Sequence, residues 1–350
     1  MARFLLLGNF TDLQTGIYIH ESIKELGHTV DYIDIRRLIT EKGLDDGQAQ
    51  ILTYANQLGY KPDVILVLKG LELTNDTLDA LKEKFPKAKL INWYFDIKGR
   101  IDDAWKELAF LEMVKHYDTF FCSLRGVAGE LKKQDLKNVS FLGEACYPTL
   151  HCEQSFNFFQ EKKYGADVSF VGSLGYMEIH PDRLPILDHV VSEGFDIKIW
   201  GPVVCEYKYI PKSVRAHLTE ELVINERHAI LCQTSLINLG LDANPKLDGS
   251  FSARIYRIMA AGGLYLSTNT KGLSDFFKLN APGEEITADQ ELVVFYDKPD
   301  LIKKMDFLLE NDDIRESIAK NGQKVVLAKH TFVHRIDELL RVIDYGRNKR

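Results

Sequence analysis

Apolar residues come in short blocks along the first half of the chain, separated by stretches with helical spacing. Residues 3–7 read as a buried strand, with an unbroken apolar run from Phe4 to Leu7. Over residues 16–26, Ile17, Ile19, His20, Ile23 and Leu26 fall near one helical face, and Gly27 follows as a stop. Residues 29–33 read as the next strand. Pro62-Asp63 opens an aliphatic run at 64–68, of the kind found in the middle of a parallel sheet. Thr74 or Asn75 caps a helix running to Phe85, and strands follow at 89–93 and 119–123. Strands separated by helices predict βαβ units and a parallel sheet with right-handed crossovers.

Residues 155–165 carry mixed charge without a period and read as a connection. The pattern then restarts. Strands are expected at 168–171, 196–200, 235–239 and 264–267, and helices at 184–192, 252–261, 299–309, 314–329 and 332–345, before a polar tail. The predicted fold class is α/β, two Rossmann-like domains in tandem over residues 1–160 and 161–330. A C-terminal helix over 331–350 is expected to pack back on the first domain. The ligand of such a pair is expected in a cleft at the carboxyl ends of the strands.

Composition narrows the function classes. The chain has 350 residues, long enough for two apolar cores, and 45% of them are hydrophobic. Its 44 basic and 51 acidic residues leave a net charge of −7, which argues against a dedicated nucleic-acid clamp. Five cysteines without a C-x-x-C pair read as a reduced, cytoplasmic chain. The apolar run at 4–7 is too short for a signal peptide, and no stretch approaches the ~20 apolar residues of a membrane span. A two-domain periplasmic binding module would need that export signal.

Several catalytic signatures are missing. There is no G-x-G-x-x-G, no G-x-x-x-x-G-K-[ST], no G-x-S-x-G and no D-x-D. His330 and His334 are spaced i, i+4, but Thr331 stands where H-E-x-x-H needs Glu, so packing is the simpler reading and no metal site is expected. The most informative stretch is residues 250–263, SFSARIYRIMAAGG. Ser250 or Ser252 is expected to cap a helix with Arg254 in its first turn. Free N–H groups, hydroxyls and a guanidinium together suit a pyrophosphate. The plain alternative is a surface ion pair for Arg254 and simple capping by the serines. Gly172-Ser173 after strand 168–171 and Gly201 after the next strand would bring bare backbone amides near the same ligand. Trp200 would stack on a base or serve as packing. On the first domain, Thr15 and Gly16 open the first helix toward the cleft. Asp96, after the strand at 89–93, is a candidate base for an incoming hydroxyl or else a helix cap; His20 and His151 are weaker candidates.

The second half resembles the C-terminal domain of GT-B glycosyltransferases, and more closely the spore-maturation CgeB-like group of the glycosyltransferase-1 clan. The stretches that carry the resemblance are DVSFVGS (167–173), IWG (199–201), SLINLG (235–240), SFSARIYRIMAAGGLYLST (250–268), ELVVFYD (291–297), and SIAKNGQKVV with HTFVHR within 317–335. The first half is similar through LGHTVDYID, PDVILVLKG and YDTFFCSL. The resemblance implies a GT-B architecture, two parallel sheets facing across a cleft, and a UDP-, GDP- or TDP-sugar bound as substrate without a resident cofactor. Carried over by position, Gly172, Ser173 and Arg254 would lie at the donor diphosphate and Glu291 near its sugar or ribose. Thr15, Gly16 and His20 would face an acceptor: a glycan, a protein, a lipid-linked glycan or a modified nucleic acid. Many relatives carry Glu where Arg257 stands, so the usual ribose contact is altered here. A non-catalytic structural or maturation protein and a sugar-nucleotide epimerase or phosphorylase are the other functions such a chain would serve.

Overall fold

The structure, a computed structural model, describes residues 1–11, 15–95 and 108–344. The chain divides into two compact units, Met1–Glu144 with Phe332–Arg350, and Ala145–Thr331. Unit 2 therefore begins at Ala145 rather than near residue 161. Cys146 pairs in a parallel bridge with Thr331 and donates its N–H to the His330 carbonyl, which ties the segment after Glu144 to unit 2.

Unit 1 runs β1 (Arg3–Gly8), α1 (Thr15–Glu25), β2 (Thr29–Asp34), α2 (Ile35–Lys42), α3 (Leu44–Asn56), β3 (Val64–Leu68), α4 (Asn75–Lys84), β4 (Lys89–Tyr94), α5 (Leu108–Lys115), β5 (Thr119–Cys122), α6 (Arg125–Lys133) and β6 (Val139–Phe141). Its sheet has the order β2-β1-β3-β4-β5-β6, all parallel. Every residue of β3 is buried, as its unbroken aliphatic run requires of a strand covered on both faces. The Asp63 carboxylate accepts the N–H of Arg3 at 2.9 Å and its guanidinium Nε at 3.0 Å, which sets the entry of β3 beside β1. Thr74 caps α4, accepting the Thr77 N–H. The strand order reverses between β1 and β3, and α1 starts beside that point. A Cβ at Gly16 would lie 2.5 Å from the Asn9 carbonyl oxygen and 3.1 Å from the Phe10 ring, so glycine lets α1 begin tight against the turn after β1.

Unit 2 runs α7 (Pro148–His151), α8 (Phe158–Tyr164), β7 (Val168–Val171), α9 (Arg183–Ser192), β8 (Ile197–Trp200), α10 (Lys212–Ala216), β9 (Leu218–Thr219), α11 (Asn225–Thr234), β10 (Ile237–Gly240), α12 (Arg254–Ala260), β11 (Tyr265–Thr268), β12 (Val293–Phe295), α13 (Lys298–Glu310) and α14 (Asp312–Lys329). Its six strands are also parallel, in the order β12-β11-β10-β7-β8-β9, which places the reversal between β7 and β10. Alternate strand residues feed two cores. Val168, Phe170, Ile199, Leu239 and Leu266 pack in one, while Trp200, Tyr265 and Val294 pack in the other with Ile255, Ile258 and Met259 of α12. The stretch expected as a plain connection contains α8. Asn157 and Gln160 form a capping box at its start, and that polar pair holds a helix too short to show a period.

The chain ends in α15 (Phe332–Val342), which belongs to unit 1 and packs on α1. Phe332 is fully buried, with Tyr18 and Trp93 about 6 Å away, ring centre to ring centre. Arg335, also buried, donates Nε–H to the carbonyls of Gly143 and Glu144 at 3.0 and 3.1 Å. Truncating it strands two buried carbonyls, so Arg335→Ala is expected to destabilise the protein by about 1.5–3 kcal/mol, with Arg335→Lys recovering part, as read from urea unfolding.

Candidate functional site

The site of unit 2 is built where its strand order reverses, around one guanidinium. Arg254, the first residue of α12, donates Nη1–H to the Val171 carbonyl at 2.7 Å, Nη2–H to the Leu241 carbonyl at 3.4 Å and Nε–H to the Ser252 hydroxyl at 3.1 Å. It thus joins the end of β7 to the segment after β10. Two of its five N–H donors stay open. The side chain is 18% exposed, turned into the fold rather than outward. Glycines make room for it. A Cβ at Gly172 would lie 2.8 Å from Arg254 Nη1, and one at Gly201, whose φ is +134°, would lie 2.5 Å from the Gly172 carbonyl oxygen.

The expected serine cap takes a different form. α12 begins after Ala253, which makes no side-chain cap, because the Ser252 hydroxyl is occupied by Arg254. The Ser250 hydroxyl is buried without a hydrogen-bond partner among the described residues. Trp200 is not a stacking platform: its indole is buried against Tyr164 in the core. Glu291 precedes β12, at the amino end of that strand, and its carboxylate accepts the Lys278 N–H at 2.8 Å. It is not brought to Arg254, whose partners lie at the carboxyl ends.

Two further groups that the sequence reading missed complete the arrangement. Arg183, 5% exposed at the start of α9, donates to the carbonyls of Ser173 at 2.6 Å and Leu241 at 3.1 Å. Its guanidinium and that of Arg254 both lie over the Phe170 ring, at 5.3 and 5.7 Å. Asp242, next after Leu241, accepts the Ser252 N–H at 3.2 Å and lies 4.0 Å from Arg254 Nη2. Burial raises its pKa, and the Arg254 charge opposes that shift. A carboxylate just past a strand end was the signal that singled out Asp96, and Asp242 carries the same signal after β10.

A pocket of about 240 Å³ opens on this group. Gly172, Ser173, Gly201, His228, Arg254 and Arg257 line it, and no acidic residue does among those described. Ser173 brings a backbone N–H and a hydroxyl that have no hydrogen-bond partner among the described residues. A larger pocket of about 720 Å³ adjoins Arg183 and Asp242 along the ends of β10, β11 and β12. Thr15, Gly16 and His20 lie in unit 1 on α1, where His20 Nδ1 meets Glu21 Oε1 at 2.8 Å. Asp96 lies outside the described residues. His330 is buried among Tyr256, Phe276 and Phe277 in unit 2, while His334 belongs to α15. Among the described residues no group of three or more His, Cys, Asp and Glu is placed to hold a metal, and no helix is long and apolar enough to cross a membrane.

Two buried histidines stand behind the arginines. Burial, and then the charges of Arg257 and Arg254, push His228 down to about 3. Burial, then Arg257 and His228, push His151 down to about 2, and its Nδ1 accepts the Tyr147 N–H. Both stay neutral when folded, whereas an unfolded histidine protonates near 6.5. Stability is therefore full above that value and is lost as pH falls from it toward 3, because the unfolded chain binds more protons. The midpoint of thermal unfolding is expected to drop through this window, and His228→Asn to flatten the slope.

The comparisons with known proteins fit this geometry. The protein-family profile described as "Glycosyl transferase-like" matches residues 183–341. No curated protein matches the sequence. Among solved structures, sucrose-phosphate synthase from Thermosynechococcus elongatus superposes with a TM-score of 0.65 at 11% identity, covering 97% of this chain and 99% of that one. Anabaena Alr3699/HepE in complex with UDP-glucose gives 0.65 at 10%, covering 98% and 100%. The catalytic domain of starch synthase IV from Arabidopsis thaliana, bound to ADP and acarbose, gives 0.66 at 10%, covering 97% and 98%. These likenesses show the fold: two six-stranded parallel α/β units with the architecture of GT-B glycosyltransferase structures.

Proposed function

We propose that the chain is a metal-independent glycosyltransferase, of the CgeB-like kind, that binds a nucleotide-sugar at the Arg254 pocket and passes the sugar to an acceptor hydroxyl. The observation that carries this reading is the pocket itself. It sits at the strand-order reversal of a parallel sheet, where such folds bind ligands. Among the described residues it is walled by a guanidinium with two open donors, by the bare backbone at Gly172-Ser173 and by no acidic side chain. Its volume is below the roughly 300–1,000 Å³ usual for a whole ligand, which suits the diphosphate end of a donor.

When the bond to the sugar breaks, negative charge grows on the departing diphosphate. Arg254 is already oriented by three hydrogen bonds and is mostly withdrawn from water, so it stabilises that charge without reorganising. Asp96 would accept the acceptor's proton if configuration inverts, and Thr15, Gly16 and His20 would line the acceptor's approach. A second reading, a nucleotide-binding relative in a structural or maturation role, draws support from Arg257, which stands where a ribose-binding Glu is usual among the proteins this chain resembles.

Calorimetric titration with UDP, GDP, ADP and TDP separates these readings when paired with a transfer assay. One diphosphate is expected to bind, and Arg254→Ala to weaken it by about 1.5–3 kcal/mol, the range for a hydrogen bond to a charged group. Transfer is expected to persist in EDTA. Binding without turnover on any acceptor would favour the second reading, and unchanged affinity in Arg254→Ala would remove Arg254 from the site.

A further inference from the structure

We infer that Arg254 and Arg257 act as a two-arginine clamp on the diphosphate, so that Arg257 contacts phosphate and not the nucleoside. This rests on the donor-binding reading above and specifies how that site discriminates.

The two arginines stand three positions apart on α12, the spacing that puts side chains on one helix face. Both line the 240 Å³ pocket, which has no acidic residue of its own among those described. Asp242, 4.0 Å from Arg254, offsets part of that residue's charge from outside the pocket, and it is not among the groups that line it. A guanidinium only donates hydrogen bonds. Whatever faces Arg257 must therefore accept, and the non-bridging oxygens of a phosphate accept strongly, in the paired geometry a guanidinium favours. Arg254 has two donors left after its three backbone and hydroxyl contacts, enough for one phosphate group. A diphosphate has two phosphate groups and at least two negative charges, and Arg257 is the second cation on the wall. His228 stands on the same wall, and burial, then the fields of Arg257 and Arg254, keep it neutral, so its uncharged ring adds nothing to the count of cations near neutral pH.

The test compares each diphosphate with its own monophosphate. UDP and UMP, ADP and AMP, and inorganic pyrophosphate are titrated calorimetrically into the wild-type chain, Arg257→Gln and Arg257→Lys, with unfolding midpoints measured in parallel to confirm that each variant folds. For whichever nucleotide pair binds, Arg257→Gln is expected to weaken the diphosphate and pyrophosphate by ~10–100-fold, as for loss of charged hydrogen bonds; the monophosphate weakens with them if Arg257 holds the α-phosphate and is spared if it holds the β-phosphate. Arg257→Lys, which keeps the charge, is expected to restore part of the loss. Weakening of both nucleotides with pyrophosphate unchanged would place Arg257 on the nucleoside and overturn the clamp, as would no change in any of the three. If pyrophosphate binds but no nucleotide does, the donor reading falls while the clamp survives, provided that Arg257→Gln still weakens pyrophosphate. Binding of neither overturns both.

Discussion

A cation that closes the gap between two parallel strands organises unit 2. Where the order reverses, β7 and β10 send their following segments to opposite faces, and the carbonyls of Val171 and Leu241 have no strand neighbour to continue the ladder. Arg254 supplies donors to both. Arg183 adds a second link, from Ser173 to Leu241. Withdrawing two guanidiniums from water is costly unless their donors are used and a counter-charge is near. The carbonyls use the donors, the Phe170 ring lies 5.3 and 5.7 Å from the two guanidiniums, and Asp242 stands 4.0 Å from Arg254. Gly172 and Gly201 follow from the same constraint, since a methyl group at either would strike the guanidinium or the opposing backbone.

The arrangement gives one residue both a structural and a recognition role. Two of Arg254's donors hold the strand-end carbonyls and a third holds the Ser252 hydroxyl, and this fixes the direction of the remaining two. The cost of orienting the group is thus met on folding rather than on binding, the condition under which a charged side chain contributes most to stabilising a leaving group. The neutral histidines behind it extend the logic. Because burial, with the arginine charges second, keeps His228 and His151 neutral, the positive potential of the pocket is set by groups that do not titrate near neutrality.

Much of the fold was readable because it is written in local signals. The strand Val64–Leu68 is a pure aliphatic run bounded by Pro62-Asp63 and Lys69-Gly70, and Val168–Val171 is bounded by Asp167 and Gly172-Ser173; both match the reading residue for residue. α11 escaped notice because His228 through Cys232 are buried consecutively, leaving no stripe for a period to reveal. α2 and α3 were passed over within a long polar stretch, although Asp34 caps the first of them. At the site, Arg254, Gly172, Ser173 and Gly201 come together, whereas Trp200 and Glu291 do not. For Trp200 the structure selects packing over stacking, because a strand-end aromatic reads the same from sequence whether it faces the core or a ligand. Arg183 carries no local signal, and Asp242 carries only the strand-end carboxylate signal that it shares with Asp96. Arg183 finds the Leu241 carbonyl 58 positions away, and Asp242 matters through its neighbours in space, which no spacing rule encodes.

The return of α15 to unit 1 makes that unit discontinuous in sequence. Residues 145–331 form an insertion within a host made of the two termini. The insertion's seams meet each other, since Cys146 hydrogen-bonds His330 and pairs with Thr331. The host's seams meet as well, since Arg335 grips the carbonyls of Gly143 and Glu144. Each piece therefore closes on itself at the joint, and the gene for such a chain could gain, lose or exchange its central module by a single in-frame event without leaving a loose end in either part.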